Sequence, residues 1–349
     1  MTTEASRFPL IAVRRPGVVS VFGIVLVVAL AVWLVVNATK DVSVFFEVTA
    51  IGLTNGCVYA LVALGYTLVY GILELINFAH GDVFMLGGMF AVTFSTSLFG
   101  LHDHQGWSAI PIILGVLVLA MAACGGINAA IEIVAYRPLR NAPRLAPLIT
   151  AIGMSFIIET VGLAWKGPDY VVMPDALPHN DVFHIGSFDY QWNKLIAVLI
   201  TVPVLILLLY LVQYTRQGKA MRATAQDMDA SAMMGINVNR TISFTFMIAG
   251  ALAGAAGVVY SLYFTSVRFD QGFQLGLIAF TAAVLGGIGN LPGAVLGAML
   301  IGLLQGWNEG LPWHAPGSDW TQSIVFSILI LILVLRPSGL LGEQTPEGG

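Results

Sequence analysis

Charged side chains are scarce in this sequence. Only 10% of its 349 residues are charged, whereas 57% are hydrophobic, and the mean hydropathy is +0.86. Soluble proteins of ordinary composition carry about 25% charged residues, so this composition excludes a soluble enzyme or binding domain. It indicates instead a polytopic membrane protein that forms one domain.

Cysteines and catalytic motifs are equally sparse. Cys57 and Cys124 both fall inside apolar runs, without the spacing of a disulfide or a metal site. The chain has no H-E-x-x-H motif, and its only Gly-Lys pair, Gly218-Lys219, lacks the flanking residues of a phosphate-binding loop. The sequence therefore predicts no enzyme, no metal and no cofactor. If transport is active, its energy must come from another subunit or from an ion gradient.

Long apolar runs are what the sequence does contain. The first, Val18 to Val36, exceeds the roughly 7–15 apolar residues of a signal peptide and is expected to be a retained span. Cleavage near residues 37–39 is the alternative. Further runs of membrane length lie at about 48–70, 83–100, 108–135, 145–165, 194–214, 241–263 and 320–335.

The region 276–307 has a different pattern, because Gly and Pro at 286–293 divide it into two short apolar pieces. Such interruptions are typical of re-entrant or broken helices. The predicted fold is therefore an all-α polytopic membrane protein with about eight full transmembrane helices plus a broken or re-entrant helix pair.

Basic residues give the orientation. With the N-terminus inside, eleven of the 15 lysines and arginines fall on inner segments: Arg7, Arg14, Arg15, Arg137, Arg140, Arg144, Arg216, Lys219, Arg222, Arg240 and Arg336. The other four, Lys40, Lys166, Lys194 and Arg268, fall on outer segments. Basic loops mark the cytoplasmic side of a membrane, so both termini are expected there. The acidic outer loop 166–193 is expected to form a small external lobe.

A polar insert, residues 214–240, separates two of the apolar runs. Apolar side chains recur on one helical face of it, at Met221, Ala225, Met228 and Ala232. Gly235 then suits the left-handed position after a helix, with Ile236 as its hydrophobic partner. The pattern predicts one short amphipathic helix at the cytoplasmic surface. It either docks into a partner or serves as a plain connecting loop.

Polar residues near or inside the spans are candidates for a substrate pathway. His80 could titrate, and Asn77 or Asp82 could bind a substrate or cap the next helix. Asp82 opens the apolar run from Val83, so helix capping is its simplest role. Glu159 lies inside a span, where an ionisable side chain is a functional candidate by default.

Three other patterns have structural interpretations. Glu132, near the inner boundary, is expected to pair with Arg137. The small residues Gly250, Gly254 and Gly257 predict close helix packing. In the outer loop before residue 276, Arg268 and Asp270 are expected to form a solvated ion pair.

Four blocks of the sequence resemble the permease subunit of bacterial ATP-binding-cassette importers for branched-chain amino acids. In chain order they are NGCVYALVALGYTLVYGILELINFAHGDVFMLG, IEIVAYRPLRNAPRLAPLITAIGMSF, RQGKAMRATAQDMDASAMMGINV and FTAAVLGGIGNLPGAVLGAMLIG. The resemblance runs from about Ile51 to Gly342, and the blocks are specific in combination rather than singly.

The resemblance implies a permease core over 41–342, with 1–40 as an N-terminal tail plus an extra span and 343–349 as a C-terminal tail. It implies a multi-pass protein of the bacterial cell membrane that imports branched-chain amino acids. Its partners would be a second permease subunit, two cytoplasmic ATPase subunits and an extracytoplasmic substrate-binding protein, with no nucleic acid. A permease for urea or short amides is the alternative within the same family.

Two hypotheses from other classes are weaker. An ion-coupled secondary transporter needs a relay of intramembrane acids, and only Glu159 is a credible member of one. A membrane enzyme needs paired histidines or carboxylates on facing spans, and the sequence offers none.

The resemblance also makes the insert the segment that the ATPase contacts. The expected coupling residues are Met221, Arg222, Ala225, Asp227, Met228, Ala230, Gly235, Ile236 and Asn237. Met221 and Met228 are expected to be exposed and to pack into a groove on the partner, since methionine adapts to such grooves.

Overall fold

A computed structural model describes residues 18–101, 106–140, 142–143, 145–178, 181–185, 188–336 and 338–342. Its helices are α1 (Val18–Lys40), α2 (Val42–Leu73), α3 (Ala79–Thr93), α4 (Ile110–Ile131), α5 (Leu145–Lys166), α6 (Trp192–Tyr214), α7 (Arg216–Gln226), α8 (Met228–Met233), α9 (Val238–Phe264), α10 (Gln271–Gly286), α11 (Leu291–Gly310) and α12 (Thr321–Leu335). Its strands are β1 (Val171–Val172), β2 (Asp181–Ile185), β3 (Phe188–Gln191) and β4 (Ser266–Val267). The arginines expected in the N-terminal tail, and residues 343–349, lie outside the described residues.

Eight helices in the described part of the chain are long and apolar enough to cross a membrane. They are α2, α3 with its continuation to Leu98, α4 with its flanking turns, α5, α6, α9, α11 and α12. The predicted all-α polytopic membrane fold is thereby confirmed. The span predicted over Val18 to Val36 lies within α1, of which Val25–Lys40 counts as a shorter apolar helix.

Helix α2 lies at the centre of the bundle, and its tightest partner is α11. Gly302 on α11 lies directly against the α2 backbone: a Cβ on Gly302 would be 2.3 Å from the Gly56 nitrogen and 2.5 Å from the Gly52 oxygen. Small residues permit this approach because association in lipid depends on close packing of backbones.

Helix α9 packs in the same manner against α3 and α4. A Cβ on Gly254 would lie 2.6 Å from the Ala120 oxygen, and one on Gly257 would lie 2.4 Å from the Gly88 nitrogen. Gly250 lies equally close to Cys124. The helix packing predicted for these three glycines is therefore confirmed.

The predicted break in the region 276–307 is present as a turn between α10 and α11. Gly287 and Gly289 have φ of +107° and +94°, and the Asn290 side chain caps α11 by accepting from Gly293 N at 2.9 Å. The 16-residue α10 is too short for a full span, whereas the 20-residue α11 is long enough for one.

Residues 338–342, after α12, cover the carboxyl end of α10. Leu340 N donates to the Leu285 oxygen at 2.9 Å, and Leu341 N donates to the Gly286 oxygen at 3.0 Å. The Asn290 amide donates to the Leu341 oxygen, so the same segment also holds the α10–α11 turn. This end of the bundle carries α7 and α8 as well and is called the insert end below.

At the opposite end, α1 holds the connection between α11 and α12. The Trp33 indole donates to the Trp313 oxygen at 2.9 Å, Asn37 accepts from Trp313 N at 3.1 Å, and Lys40 lies over the Trp313 ring. At the same end β1 pairs with β4, and β2 pairs with β3 within the segment 166–193 that was predicted to fold as a lobe.

Candidate functional site

The polar insert forms two helices, so the prediction of a single helix is wrong at Asp227. This residue is extended, with φ of −157° and ψ of 113°, and its carboxylate accepts from Ala230 N at 2.9 Å. Aspartate favours this N-cap role because its side chain satisfies a free helix N–H. The chain therefore ends α7 at Gln226 and begins α8 at Met228.

The predicted glycine cap closes α8. Gly235 has φ of +83°, its N donates to the Ala232 oxygen, and Ile236 N donates to the Ser231 oxygen, both at 3.0 Å. These two bonds form a Schellman motif, in which glycine avoids the Cβ penalty of the left-handed conformation. Asn237 then caps α9 by accepting from Arg240 N at 3.0 Å.

The methionines expected at the surface of the insert do not lie there. Met221 is 2% exposed and packs into the core, and Met228 is partly buried against it. The apolar face of α7 points into its own bundle rather than toward a partner. Met233 and Met234 are exposed instead, at 82% and 84%. Two adjacent methionines before the glycine cap were the signal that the helical-face argument missed.

The other predicted coupling residues lie along the same surface. Arg222, Ala225, Asp227, Gly235 and Asn237 are exposed, whereas Ala230 and Ile236 are half-buried. The Arg222 guanidinium also donates to the Val212 oxygen, which ties α7 to the end of α6.

Asp82 belongs to a buried cluster and does not cap a helix, so its predicted role is wrong. Helix α3 begins at Ala79, three residues earlier, which places Asp82 in its first turn. The residue is 0% exposed, and Ser155 at the midpoint of α5 donates its hydroxyl hydrogen to Asp82 Oδ2. Because Asp82 is buried between helices, its carboxylate binds Ser155 of α5 rather than the N–H groups at the start of its own helix.

Asn77 and His80 lie in the same buried cluster. The Tyr136 hydroxyl donates to Asn77 Oδ1 at 2.8 Å. The His80 ring fills the space beside Gly65, where a Cβ would lie 2.1 Å from His80 Nε2, and it packs edge-on against Tyr66 with ring centroids 4.8 Å apart.

Two buried polar atoms of this cluster, Asn77 Nδ2 and Asp82 Oδ1, lack hydrogen bonds to any described residue. The buried His80 ring interacts with the backbone of Val62. A buried polar atom left unpaired costs about 1–3 kcal/mol. Such a concentration of unpaired atoms needs an explanation beyond stability, and a functional site is one.

Glu159 lies beside the cluster. It follows Ser155 by one turn of α5, is partly buried, and interacts electrostatically with Asp82. The structure thus brings together all four of the predicted polar residues, which the sequence placed on two separate spans.

Two cavities lie between this cluster and the insert end. The larger, about 650 Å³ and called the insert cavity here, is lined by residues of α2, α6, α7 and the α10–α11 turn, including Thr67, Met221 and Ile288. A pocket of about 10 Å³ lies behind Tyr66 and Phe280 and shares Thr67 and Ile288 with it.

The chain is similar in sequence to known proteins. A family model described as the permease component of the branched-chain amino acid transport system matches residues 48–334. The chain belongs to this permease family.

Curated relatives of the permease agree with the match. The chain is 37% identical over 300 residues to the high-affinity branched-chain amino acid transport permease BraD of Pseudomonas aeruginosa. The match covers 85% of this chain and 95% of the relative. LivH of Escherichia coli K12, named for the same transport system, gives the same identity and coverage. The autoinducer 2 import permease LsrD of Escherichia coli SMS-3-5 is 25% identical, over 69% of this chain and 72% of the relative. No solved structure matches the chain.

The family match and the eight candidate spans make the permease a multi-pass protein of the bacterial membrane. All of α1 (Val18–Lys40) precedes the matched region 48–334. The relatives are transport permeases rather than enzymes.

Outside the candidate sites, the permease has the two ion pairs expected from its sequence. Glu132 is fully buried and pairs with Arg137 at 3.1 Å, with further bonds from Arg140 and Ser243. The Arg268 guanidinium binds the Asp270 carboxylate, which raises the pKa of Arg268. Both predictions of pairing are confirmed, and neither pair contacts the Asp82 cluster through a hydrogen bond between described residues.

Proposed function

We propose that this chain is a permease subunit of an ATP-binding-cassette importer that moves branched-chain amino acids into the cytoplasm. The observation that carries the proposal is the capped insert, which presents an exposed apolar tip on a membrane chain without a nucleotide-binding loop. Such a chain needs a separate motor, and the tip is a surface through which a motor can act. The names of the 37% identical relatives support the substrate class.

The proposed partners follow from the need for a separate motor. Two cytoplasmic ATPase subunits supply the energy, a second permease subunit completes the pathway, and an extracytoplasmic binding protein delivers the solute. The membrane window of α5 is only 22% buried and that of α12 only 11%, which leaves broad apolar faces for lipid and for the second permease.

The coupling surface runs along α7, α8 and the cap that follows. Met233 and Met234 are the proposed anchors, because an adaptable thioether side chain fits an apolar groove. Asp227 and Gly235 define the shape of α8, while Arg222, Ala225, Ala230, Ile236 and Asn237 form its surroundings. Met221 and Met228 act from inside by tying the insert to the spans.

The proposed orientation places the insert end in the cytoplasm, with both termini. The distribution of basic residues supports it, since arginines at 137, 140, 216, 222 and 240 lie at this end. In this orientation α10 reaches only to mid-depth from the cytoplasmic side, and α11 crosses back. The family match at 48–334 supports a permease core near 41–342, to which α1 is added.

Cysteine labelling tests this orientation. In a background with alanine at Cys57 and Cys124, we expect Gln226→Cys on exposed α7 to react with a membrane-impermeant maleimide only in inverted vesicles. Ser318→Cys, exposed at the opposite end, serves as the matched control and is expected to react only in intact cells. Reaction of position 226 in intact cells would overturn the orientation.

The proposed pathway passes Asn77, His80 and Glu159. Asn77 and His80 are buried in the bundle and Glu159 is partly buried beside Asp82. Intramembrane polar residues are expensive unless they serve a function. The insert cavity gives the pathway a route toward the cytoplasm.

Uptake into proteoliposomes tests the function. We assemble the chain with its partner permease, ATPases and binding protein in the vesicle membrane. The vesicles are expected to accumulate leucine only when ATP is present on the side of the membrane that carries the ATPases. Unlabelled isoleucine and valine should compete with leucine, because the pathway accepts neutral zwitterions with branched apolar side chains.

Three outcomes would contradict it. Competition by urea or acetamide but not by isoleucine would move the chain to the urea and amide branch. Uptake that persists with catalytically inactive ATPases would favour an ion-coupled transporter. No uptake of any of these solutes by a folded, assembled complex would reject the importer function.

A further inference from the structure

The first turns of α3 and α10 meet at the buried cluster. A Cβ on Gly81 of α3 would lie 2.4 Å from the Gly272 oxygen of α10, and a Cβ on Gly272 would lie 2.6 Å from Asp82 Oδ1. The meeting point is level with Ser155, the midpoint of α5. Two helix beginnings and one carboxylate therefore share a small volume at mid-depth, called the junction here.

Neither helix has a side-chain cap at the junction. Phe78, which precedes α3, has no polar side-chain atom, and Asp270, which precedes α10, pairs with Arg268. The N–H groups of a first helical turn lack intrahelical partners and carry partial positive charge. The junction thus presents donors for an anion beside an acidic side chain for a cation.

We propose that the junction is the subsite for the two charged groups of a zwitterionic amino acid in transit. Asp82 Oδ1 accepts hydrogen bonds from the α-ammonium group, while N–H groups in the first turn of α10 donate to the α-carboxylate. The Gln271 N–H is not among them, because it donates to the Arg268 oxygen at 3.3 Å. This assignment rests on the proposed function and deepens it. It uses Asp82 Oδ1, a buried atom that finds no hydrogen-bond partner within the described chain.

A purely structural role explains the junction less well. A carboxylate that only stabilised two helix ends would direct both oxygens to backbone N–H groups or hydroxyls. Here one oxygen of Asp82 binds Ser155 and the other has no partner among the residues described. The ammonium group of a zwitterion supplies the donor that this oxygen lacks.

Aromatic rings beside the junction fit the apolar side chain of the solute. Phe280 lies 5.8 Å from Tyr66 and 6.4 Å from Phe78, measured between ring centroids. The ring of Tyr66 also contacts His80, so it stands between the junction and the small pocket behind it. That pocket adjoins the insert cavity. Tyr66 and Phe280 both line this small pocket, which offers apolar surface next to the junction.

The test measures equilibrium binding to the purified complex of permeases and ATPases, without the binding protein. Radiolabelled leucine is the probe, and the competitors are leucinol, which lacks the carboxylate, and 4-methylpentanoate, which lacks the ammonium group. With the unaltered complex we expect each competitor to bind at least about tenfold more weakly than leucine, because each loses one charged contact.

Asp82→Asn keeps the shape and the Ser155 contact but removes the charge. We expect it to weaken leucine and leucinol at least about tenfold and to leave 4-methylpentanoate within about twofold. Asp270→Asn is the matched control, since this carboxylate also lies near the start of α10 but is paired with Arg268 and partly exposed. It should change none of the three affinities by more than about twofold.

Equal weakening of all three ligands by Asp82→Asn, or no weakening, would overturn the assignment. If that variant fails to assemble, the unaltered complex decides: 4-methylpentanoate binding as tightly as leucine would reject the ammonium contact. ATP-driven leucine uptake by the unaltered complex distinguishes failure of the subsite from failure of the proposed function. If the complex takes up leucine but the binding test contradicts the junction, only the subsite is rejected. If the complex takes up no leucine, the proposed function is rejected.

Discussion

Gly302→Ala is expected to destabilise the protein, although alanine is the better helix former. In an exposed helix the exchange would stabilise by about 1 kcal/mol. At Gly302 the added Cβ would lie 2.3 Å from the Gly56 nitrogen and 2.5 Å from the Gly52 oxygen. These are backbone atoms of α2, so a side-chain rotation cannot relieve the clash. The helices must separate, and we expect a net loss of about 1–3 kcal/mol, the usual cost of overpacking.

The measurement is the thermal unfolding midpoint of the purified protein in detergent, together with its yield as a single species. Gly126→Ala is the matched control, because Gly126 lies inside helix α4 and a Cβ there meets no described atom within 4 Å. The control should unfold at the same temperature as the unaltered protein or slightly higher. An equal midpoint for the two variants would show that α2 and α11 are not locked by contact of their backbones.

Replacing Met233 and Met234 together by aspartate is expected to uncouple the permease from its ATPases. The two side chains are exposed at the tip of α8, and burying two carboxylates in an apolar groove carries a large desolvation cost. We expect binding-protein-stimulated ATP hydrolysis to fall at least about tenfold, as for the loss of an interface hot spot. Insertion and folding should be normal, since neither residue contributes to the core.

Leucine at both positions is the matched control, because leucine and methionine have similar volume and polarity. This variant should retain stimulation within about twofold of the unaltered complex. Full stimulation in the aspartate variant would mean that the tip of α8 is not buried against the motor. Loss in both variants would point to a need for the thioether itself.

The local features of the insert were predictable from the sequence. A glycine directly after a helix, followed by a hydrophobic residue, predicts a left-handed cap. Gly235 and Ile236 have this pattern, and the structure confirms the left-handed conformation of Gly235. The break at Asp227 was not predictable from periodicity. The apolar positions continue at helical spacing across it, and only the capping preference of aspartate signals a new helix.

The buried cluster could be predicted as a set of candidates but not as an arrangement. Asn77, His80 and Asp82 are close in the sequence, whereas Ser155, Glu159 and Gly272 reach them through the packing of α5 and α10. No local pattern states which helices cross at this depth. Asp82 was therefore assigned to the nearest helix end, since the helix that covers it was unknown.

The segment 338–342 has a consequence for biosynthesis. It supplies the N–H groups that satisfy the last carbonyls of α10, yet it is synthesised only after α11 and α12. During synthesis the carboxyl end of α10 must find other partners, such as water at the membrane surface or the insertion machinery. The α10–α11 turn can therefore take its final form only late, after the following span has been inserted. A chain truncated within α12 would lack both of these hydrogen bonds to α10.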